Sequence, residues 1–472
     1  MPWLLWRRSM APERSRLQRI RGLSSNPFPP ARPLGFPPPH GHPAFAASFS
    51  QLRFWRLDQH SDGTACAIPD ALHLQGDLQP AALHTALDRL VERHEPLRTA
   101  YQPCDDDLLQ VVSPAQGVDL QVETLRHNSG PEEISARMQR ELERPFDLAN
   151  GPLMRGLLLQ GRHGQHVLLL VFHYSVFDGW SRTVLYRDLA VLYAAALAGA
   201  GSPLPKLPLR YVDFASWQRK SLAPGDRNTL LRHWRMVLNH LPSIILPADH
   251  PAPPQLTYRG RSSYFQLAPS LVAGLANLCS SAAATLSMGL LALVAALLHT
   301  HGGQEDIGIG IPVAGRRHPS LESLMGSFVN LLVIRIHLSR APSFRTLLGR
   351  VRSSCLQAYD HQDLPCAILE EALWPQQPPH ASVPVVVQLM DLPWRPALEG
   401  LAVRRLPSPS QRARHELEFR FRRLPDASLQ AKIIYSTDRF SEQGIDLLFE
   451  RMKDLLGHLL DAPDACLVAA YA

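Results

Sequence analysis

Four residues close together near the middle of the chain have side chains or a backbone that could do chemistry. They are His173, Tyr174, Asp178 and Gly179, and they close the stretch "LLLVFHYSVFDGWS" at residues 168–181. An imidazole exchanges protons near neutral pH, and a phenol can donate to a developing oxyanion. A carboxylate can cap a helix or hold an arginine. A plain buried strand needs none of these at its end. Adjacent side chains on an extended strand point to opposite faces, so only one of His173 and Tyr174 can look into a shared cleft. Asp178 is short enough to cap the following helix or to fix the turn through an ion pair. Gly179 reads as a backbone bend closed to other residues. Alone, the pattern describes equally well a buried histidine followed by a helix-capping aspartate.

The elements that must position these residues are legible from periodicity. "LMRGLLLQ" and "HVLLLVF" flank the turn "GRHGQ" and read as a hairpin. The second run is apolar without alternation, which predicts a strand buried on both faces. Leu185, Leu189, Leu192 and Ala196 then mark a long helix, so the four residues sit where a central strand gives way to a helix. Upstream, Leu83, Leu87, Leu90 and Val91 predict a helix closed by Pro96, followed by the strands "LRTAY", "DLLQVV" and "DLQVETL" and a polar helix near 131–143. Downstream come a helix bearing Trp234 and Leu238, an apolar helix from Thr285, and the strands "DIGIGIPV" and "FVNLLVIRI". A helix near 343–358, the strands "VPVVVQLM" and "AKIIYS" and a last helix at 441–460 complete an α/β pattern. The predicted division is a tail at 1–44, a lobe at 45–222 and a second lobe at 223–472.

Composition removes several function classes. Seven Arg and one Glu in residues 1–44 account for the whole net charge of +6, which leaves a neutral body with no reason to bind nucleic acid. The six cysteines are scattered without Cys-x-x-Cys or metal-ligand spacing, so reduced structural thiols, no metal and a cytoplasmic location are expected. No apolar run reaches the ~20 residues of a membrane helix. The Arg-rich start, followed by eight Pro between residues 27 and 43, reads as a disordered tail and linker, with partner docking and targeting as alternatives.

A set of ordered matches surrounds the central motif. "SFSQLRFWRL", "RHEPLRTAY" and "RPFDLANGPLMR" precede it; "YVDFASWQ", "GQEDIGIGIPVAGR", "MGSFVNLLVIRI" and "HQDLP" follow. Across about 45–465 the chain resembles the condensation domains of nonribosomal peptide synthetases. The resemblance implies two chloramphenicol-acetyltransferase-like α/β lobes forming a V-shaped pseudo-dimer around a tunnel. It also implies no bound cofactor, with substrates carried on the phosphopantetheine of separate carrier proteins. An acceptor amine or hydroxyl would attack a donor thioester there, giving an amide or ester.

The family signature is His-His-x-x-x-Asp-Gly, with the second His catalytic. Aligned on Asp178 and Gly179, His173 takes the first position and Tyr174 the second. The late Arg and Asn of the family pattern are also missing from "HASVPVVVQLM". A phenol titrates near ~10 and an imidazole near ~6.5, so an unperturbed Tyr174 is a hydrogen-bond donor and a poor base. By the same resemblance, Arg98 is the expected ion-pair partner of Asp178. Trp180, Ser181 and Asn330 are expected to bind substrate, while His361 and Asp363 fix a loop. Two functions stay open: an acyltransferase working in trans with carrier proteins, and a retired member that recruits carriers or a tailoring enzyme, as some altered condensation-like domains recruit haem monooxygenases.

Overall fold

The computed structural model describes residues 28–33, 42–126, 129–253, 256–340, 342–377, 382–390, 396–407 and 411–467. The first half runs β1 (Ala44–Ala46), α1 (Phe49–Gln59), β2 (Ala67–Gly76), α2 (Pro80–Arg93), β3 (Thr99–Cys104), β4 (Asp107–Val112) and β5 (Asp119–Thr124). It continues with α3 (Pro131–Glu143), β6 (Met154–Gln160), β7 (Gln165–His173), α4 (Gly179–Leu197) and α5 (Tyr211–Ser221). The second half runs α6 (Pro224–Leu238), β8 (Gly260–Leu267), α7 (Pro269–Ser281), α8 (Leu286–Gly302), β9 (Asp306–Val313), β10 (Asn330–His337) and α9 (Phe344–Asp360). After α10 (Cys366–Leu373) come β11 (Val385–Leu389), β12 (Leu401–Arg405), β13 (Leu417–Arg423), β14 (Leu429–Ser436) and α11 (Glu442–Asp461).

The chain divides into two units. The first takes residues 1–223 together with 314–329 and 392–410; the second takes the remainder. The two returning segments were expected in the C-terminal lobe. They join the first unit because each makes specific bonds there. β12 pairs antiparallel with β2, and Arg316 bonds Asp178.

In the first unit a five-stranded sheet has the order β12-β2-β7-β6-β5, beside a three-stranded sheet β1-β4-β3. β7 lies between β2 and β6, antiparallel to both, and all its residues from His166 to His173 are buried. This is the environment its unbroken apolar sequence predicts. β5 and β6 are parallel, and α3 makes the crossover between them. The leucines of α2, β6, β7 and α4 share one core. A buried polar clamp joins the two helices: Asp188 on α4 accepts from His94 Nε2 at 2.9 Å, Arg93 Nε at 3.1 Å and Arg187 Nε at 2.8 Å. Burial is the main influence on His94 and lowers its pKa, despite the Asp188 carboxylate.

The tail is shorter than expected. Phe28 is buried against Leu209 and Phe214, with its ring 5.1 Å from that of Trp217, and the Ala31 N–H donates to Asp213 at 2.8 Å. Residues 28–33 are therefore part of the first unit, anchored by one aromatic side chain; residues 1–27 and 34–41 lie outside the described residues.

The second unit is built on the sheet β10-β9-β11-β13-β14-β8. α8 runs through its core, capped by Thr285 and ended by Gly303 at φ 64°, a left-handed position that favours glycine. Among the described residues no single helix is long and apolar enough to cross a membrane; α7 and α8 reach that hydropathy only as a pair bent by 106°. None of the six cysteines is in a disulfide, and burial pushes the Cys279 and Cys355 thiols up to about 11 and about 12.

Candidate active site

β7 ends at His173, and two backbone bonds fix that end. His173 N–H donates to the Leu153 carbonyl at 3.0 Å and Tyr174 N–H to the Cys66 carbonyl at 2.9 Å. The chain then turns, held by Val176 and Phe177, which are fully enclosed; the Phe177 ring stacks on Phe172 at 4.0 Å. The apolar pair inside "YSVFDG" thus returns the chain to the core before α4 begins.

His173 and Tyr174 meet different surroundings. The His173 ring is completely enclosed, with Nδ1 2.6 Å from Ser175 Oγ, Nε2 3.4 Å from Asp58 Oδ1, and the Phe146 ring edge-on at 5.8 Å. Tyr174 is half-buried, and its ring stacks on Phe54 of α1 at 4.9 Å. Close by, Asp70 on β2 bonds Arg182 of α4, and Arg405 of β12 lies 3.4 Å from the same carboxylate. Burial works to lower the Arg182 pKa, but Asp70 outweighs it, and the Tyr186 and Tyr174 phenols act in the same direction as Asp70. Burial, then Asp70, pushes Tyr186 well above the ordinary phenol range.

Asp178 caps α4. Its Oδ1 accepts from Ser181 N–H at 2.8 Å and lies 2.8 Å from Ser181 Oγ. Its Oδ2 accepts from Arg316 Nη1 at 2.6 Å and from Phe328 N–H at 3.1 Å. The guanidinium of Arg316 also donates to Ser181 Oγ and the Leu324 carbonyl and lies over the Phe328 ring at 4.1 Å. Both charges are shielded from water, so the pair is a buried one whose other hydrogen-bonding capacity is well used.

Several expectations are corrected here. Arg98 does not reach Asp178: its guanidinium donates to the Ser113 and Glu92 carbonyls, tying β4 to α2, and Arg316 takes the place. Gly179 needs no special backbone. Its φ is not in the left-handed region, and an added Cβ would meet nothing within 4 Å, so it is an ordinary first helical residue beside open space. Ser181 is enclosed, with its hydroxyl held between Asp178 and the backbone of Gly326. It is a capping residue rather than a lining one. Asn330 lies in the second unit, and its side chain fixes a loop. Its amide donates to the Gln362 and Leu364 carbonyls at 2.9 and 2.8 Å and its oxygen accepts from Cys366 N–H at 2.8 Å. Trp180 is half-buried and donates to the Glu322 carbonyl at 2.9 Å.

Two things were missed in the sequence. Arg316 stands at the end of "GQEDIGIGIPVAGR", so the matched stretch contained the signal, but its partner lies far away in the chain. Asp58, Cys66 and His173 converge so that a ligand atom of each lies within 4.8 Å of the others, all three buried. Linear spacing gave no sign of it, and the expectation that no metal-ligand set exists does not describe this geometry.

The Condensation domain family matches residues 44–468, and the chain belongs to that family, whose members work in nonribosomal peptide synthesis and share the chloramphenicol-acetyltransferase-like fold. Chondramide synthase cmdD of Chondromyces crocatus is 35% identical over 451 residues, which cover 92% of this chain and 11% of that protein. The chain thus spans about a tenth, or less, of the length of such relatives. Among solved structures, the X-domain from teicoplanin biosynthesis superposes with a TM-score of 0.83 at 26% identity, covering 90% of this chain and 96% of that one. The complex of the X-domain and OxyB from teicoplanin biosynthesis gives 0.81 at 26% identity, covering 93% and 97%.

Proposed function

We propose that this chain is a condensation-type acyltransferase acting on substrates held by carrier proteins, with Tyr174 in the place of the family's catalytic histidine. The observation that carries the reading is the preserved frame around that one position. β7 ends in a buried, bonded His173, and Asp178 caps α4 and is locked to Arg316, while Tyr174 rests on Phe54. The phenol O–H donates a hydrogen bond to the oxyanion that forms when an amine or hydroxyl attacks a thioester carbonyl. It does not serve as the base. The proton leaves with the acceptor's own equilibrium or to solvent, so an amine arriving unprotonated is the favoured acceptor. Forgoing general-base help costs ~10²–10⁴-fold, which holding both substrates in place can outweigh. No bound cofactor is required, and the disulfide-free cysteines suit a reducing, cytoplasmic compartment.

A second reading rests on the likeness to the teicoplanin X-domain, whose solved complex is with OxyB. In it, the same frame binds a carrier-borne peptide or a tailoring enzyme and makes no bond. Mass spectrometry with both loaded carriers separates the two. Product above the no-protein control, reduced in Tyr174→Phe, supports acyl transfer. No product, together with a stable carrier or tailoring-enzyme complex unaffected by Tyr174→Phe, supports recruitment.

A further inference from the structure

The cluster behind the strand end is independent of whether Tyr174 is catalytic. We propose that Asp58, Cys66 and His173 form a buried structural site for a zinc-like divalent cation, clamping the last turn of α1, the segment before β2 and the end of β7. The three ligand atoms lie within 4.8 Å of one another and come from three separate segments. A thiolate, an imidazole and a carboxylate are a zinc set, whereas magnesium or calcium would call for oxygens. One thiolate and one carboxylate also neutralise a divalent ion, so the occupied site carries no net charge into the core.

The second shell fits as well. Metal-bound histidines hold their other ring nitrogen in a hydrogen bond, and His173 Nδ1 lies 2.6 Å from Ser175 Oγ while Nε2 faces Asp58. Ser175 N–H, 3.2 Å from Nδ1, favours the tautomer protonated at Nε2 when no ion is bound. Binding therefore moves the ring proton to Nδ1, where Ser175 Oγ accepts it. Binding also removes the proton of the Cys66 thiol, so one proton leaves to solvent for each ion bound. The Phe54 carbonyl, 3.5 Å from Cys66 Sγ, can complete the coordination.

The same three residue types could suggest a cysteine nucleophile with a His-Asp pair. That reading fails on geometry. Cys66 and His173 are fully enclosed, and the ring nitrogen away from Asp58 faces Ser175 rather than the thiol. The site's consequence is positional. Cys66 accepts the Tyr174 N–H and Phe54 carries the Tyr174 ring, so an ion joining these segments fixes the phenol.

Cobalt is the probe. Chelator-treated full-length protein titrated with Co²⁺ is expected to take up one ion per chain, with a thiolate-to-cobalt charge-transfer band and release of one proton. Cys66→Ser abolishes the band and Cys104→Ser retains it. Zn²⁺ raises the wild-type Tm above its value in chelator, a readout that needs no variant to fold. A wild type with neither band nor Tm rise, or a band that persists in Cys66→Ser, overturns the proposal.

Discussion

Asp178 is held by donors from three places, Ser181, Arg316 and Phe328, and this makes it the keystone of the motif. Removing Arg316 leaves a buried carboxylate without its charge partner, so Arg316→Ala is expected to cost about 3–5 kcal/mol in denaturant unfolding. A double-mutant cycle sharpens the assignment. Asp178→Ala and Arg316→Ala should couple by ~1–3 kcal/mol, while Asp178→Ala and Arg98→Ala add to within ~0.5 kcal/mol. Coupling through Arg98 instead would contradict the observed pairing. The capping role of Asp178 was legible because a cap is local: the aspartate precedes its helix and bonds three residues onward. Its ionic partner was not, because an arginine's reach across the chain leaves no periodic trace. The convergence of Asp58, Cys66 and His173 was illegible for the same reason.

At the scale of elements, β7 and α4 were readable because their burial imposes a pattern: a continuous apolar run for the strand, leucines at helical spacing for the helix. β12 was not. "LAVRR" is a short edge strand whose exposed positions leave a weak alternation, and only its pairing with β2 defines it. Gly179 gives the clearest reversal at this scale. At the first helical position, with open space where a Cβ would sit, Gly179→Ala should leave stability unchanged or raise it by up to ~1 kcal/mol in thermal unfolding. A loss of more than ~1 kcal/mol would restore the backbone-bend reading. If stability holds and product formation falls, the open space is used by substrate.

For the whole molecule, acid stability depends on more than the motif. On β13, Glu418 is buried and bonded to Arg420 Nε at 2.7 Å. Burial would raise its pKa, but Arg420, then Arg414, outweigh it, and the carboxyl falls to about 2. A carboxylate whose folded pKa is depressed stabilises the fold above its unfolded value. That contribution is lost as pH falls through the folded one. Glu418→Gln should therefore lower stability at neutral pH by at most on the order of 3 kcal/mol, with the difference from wild type shrinking between about pH 4.5 and pH 2. A pH-independent difference in Tm would contradict it. The two-unit architecture was largely legible from the alternation of strands and helices. The return of 314–329 and 392–410 to the first unit was not, since it rests on pairings between distant segments.

Catalysis also belongs to the whole molecule, because both carrier-bound substrates must meet at one side chain. The most direct test is the rate of amide or ester formation, measured by mass spectrometry with loaded carriers, for wild type, Tyr174→Phe, Tyr174→His and His173→Ala. The expected result is product from wild type, at least tenfold less from Tyr174→Phe (~1.4 kcal/mol of barrier), and ~10²–10⁴-fold more from Tyr174→His as a general base is restored. Wild-type product equal to the no-protein control, with activity only in Tyr174→His, would contradict the proposed acyl transfer and mark this chain as a retired member of its family.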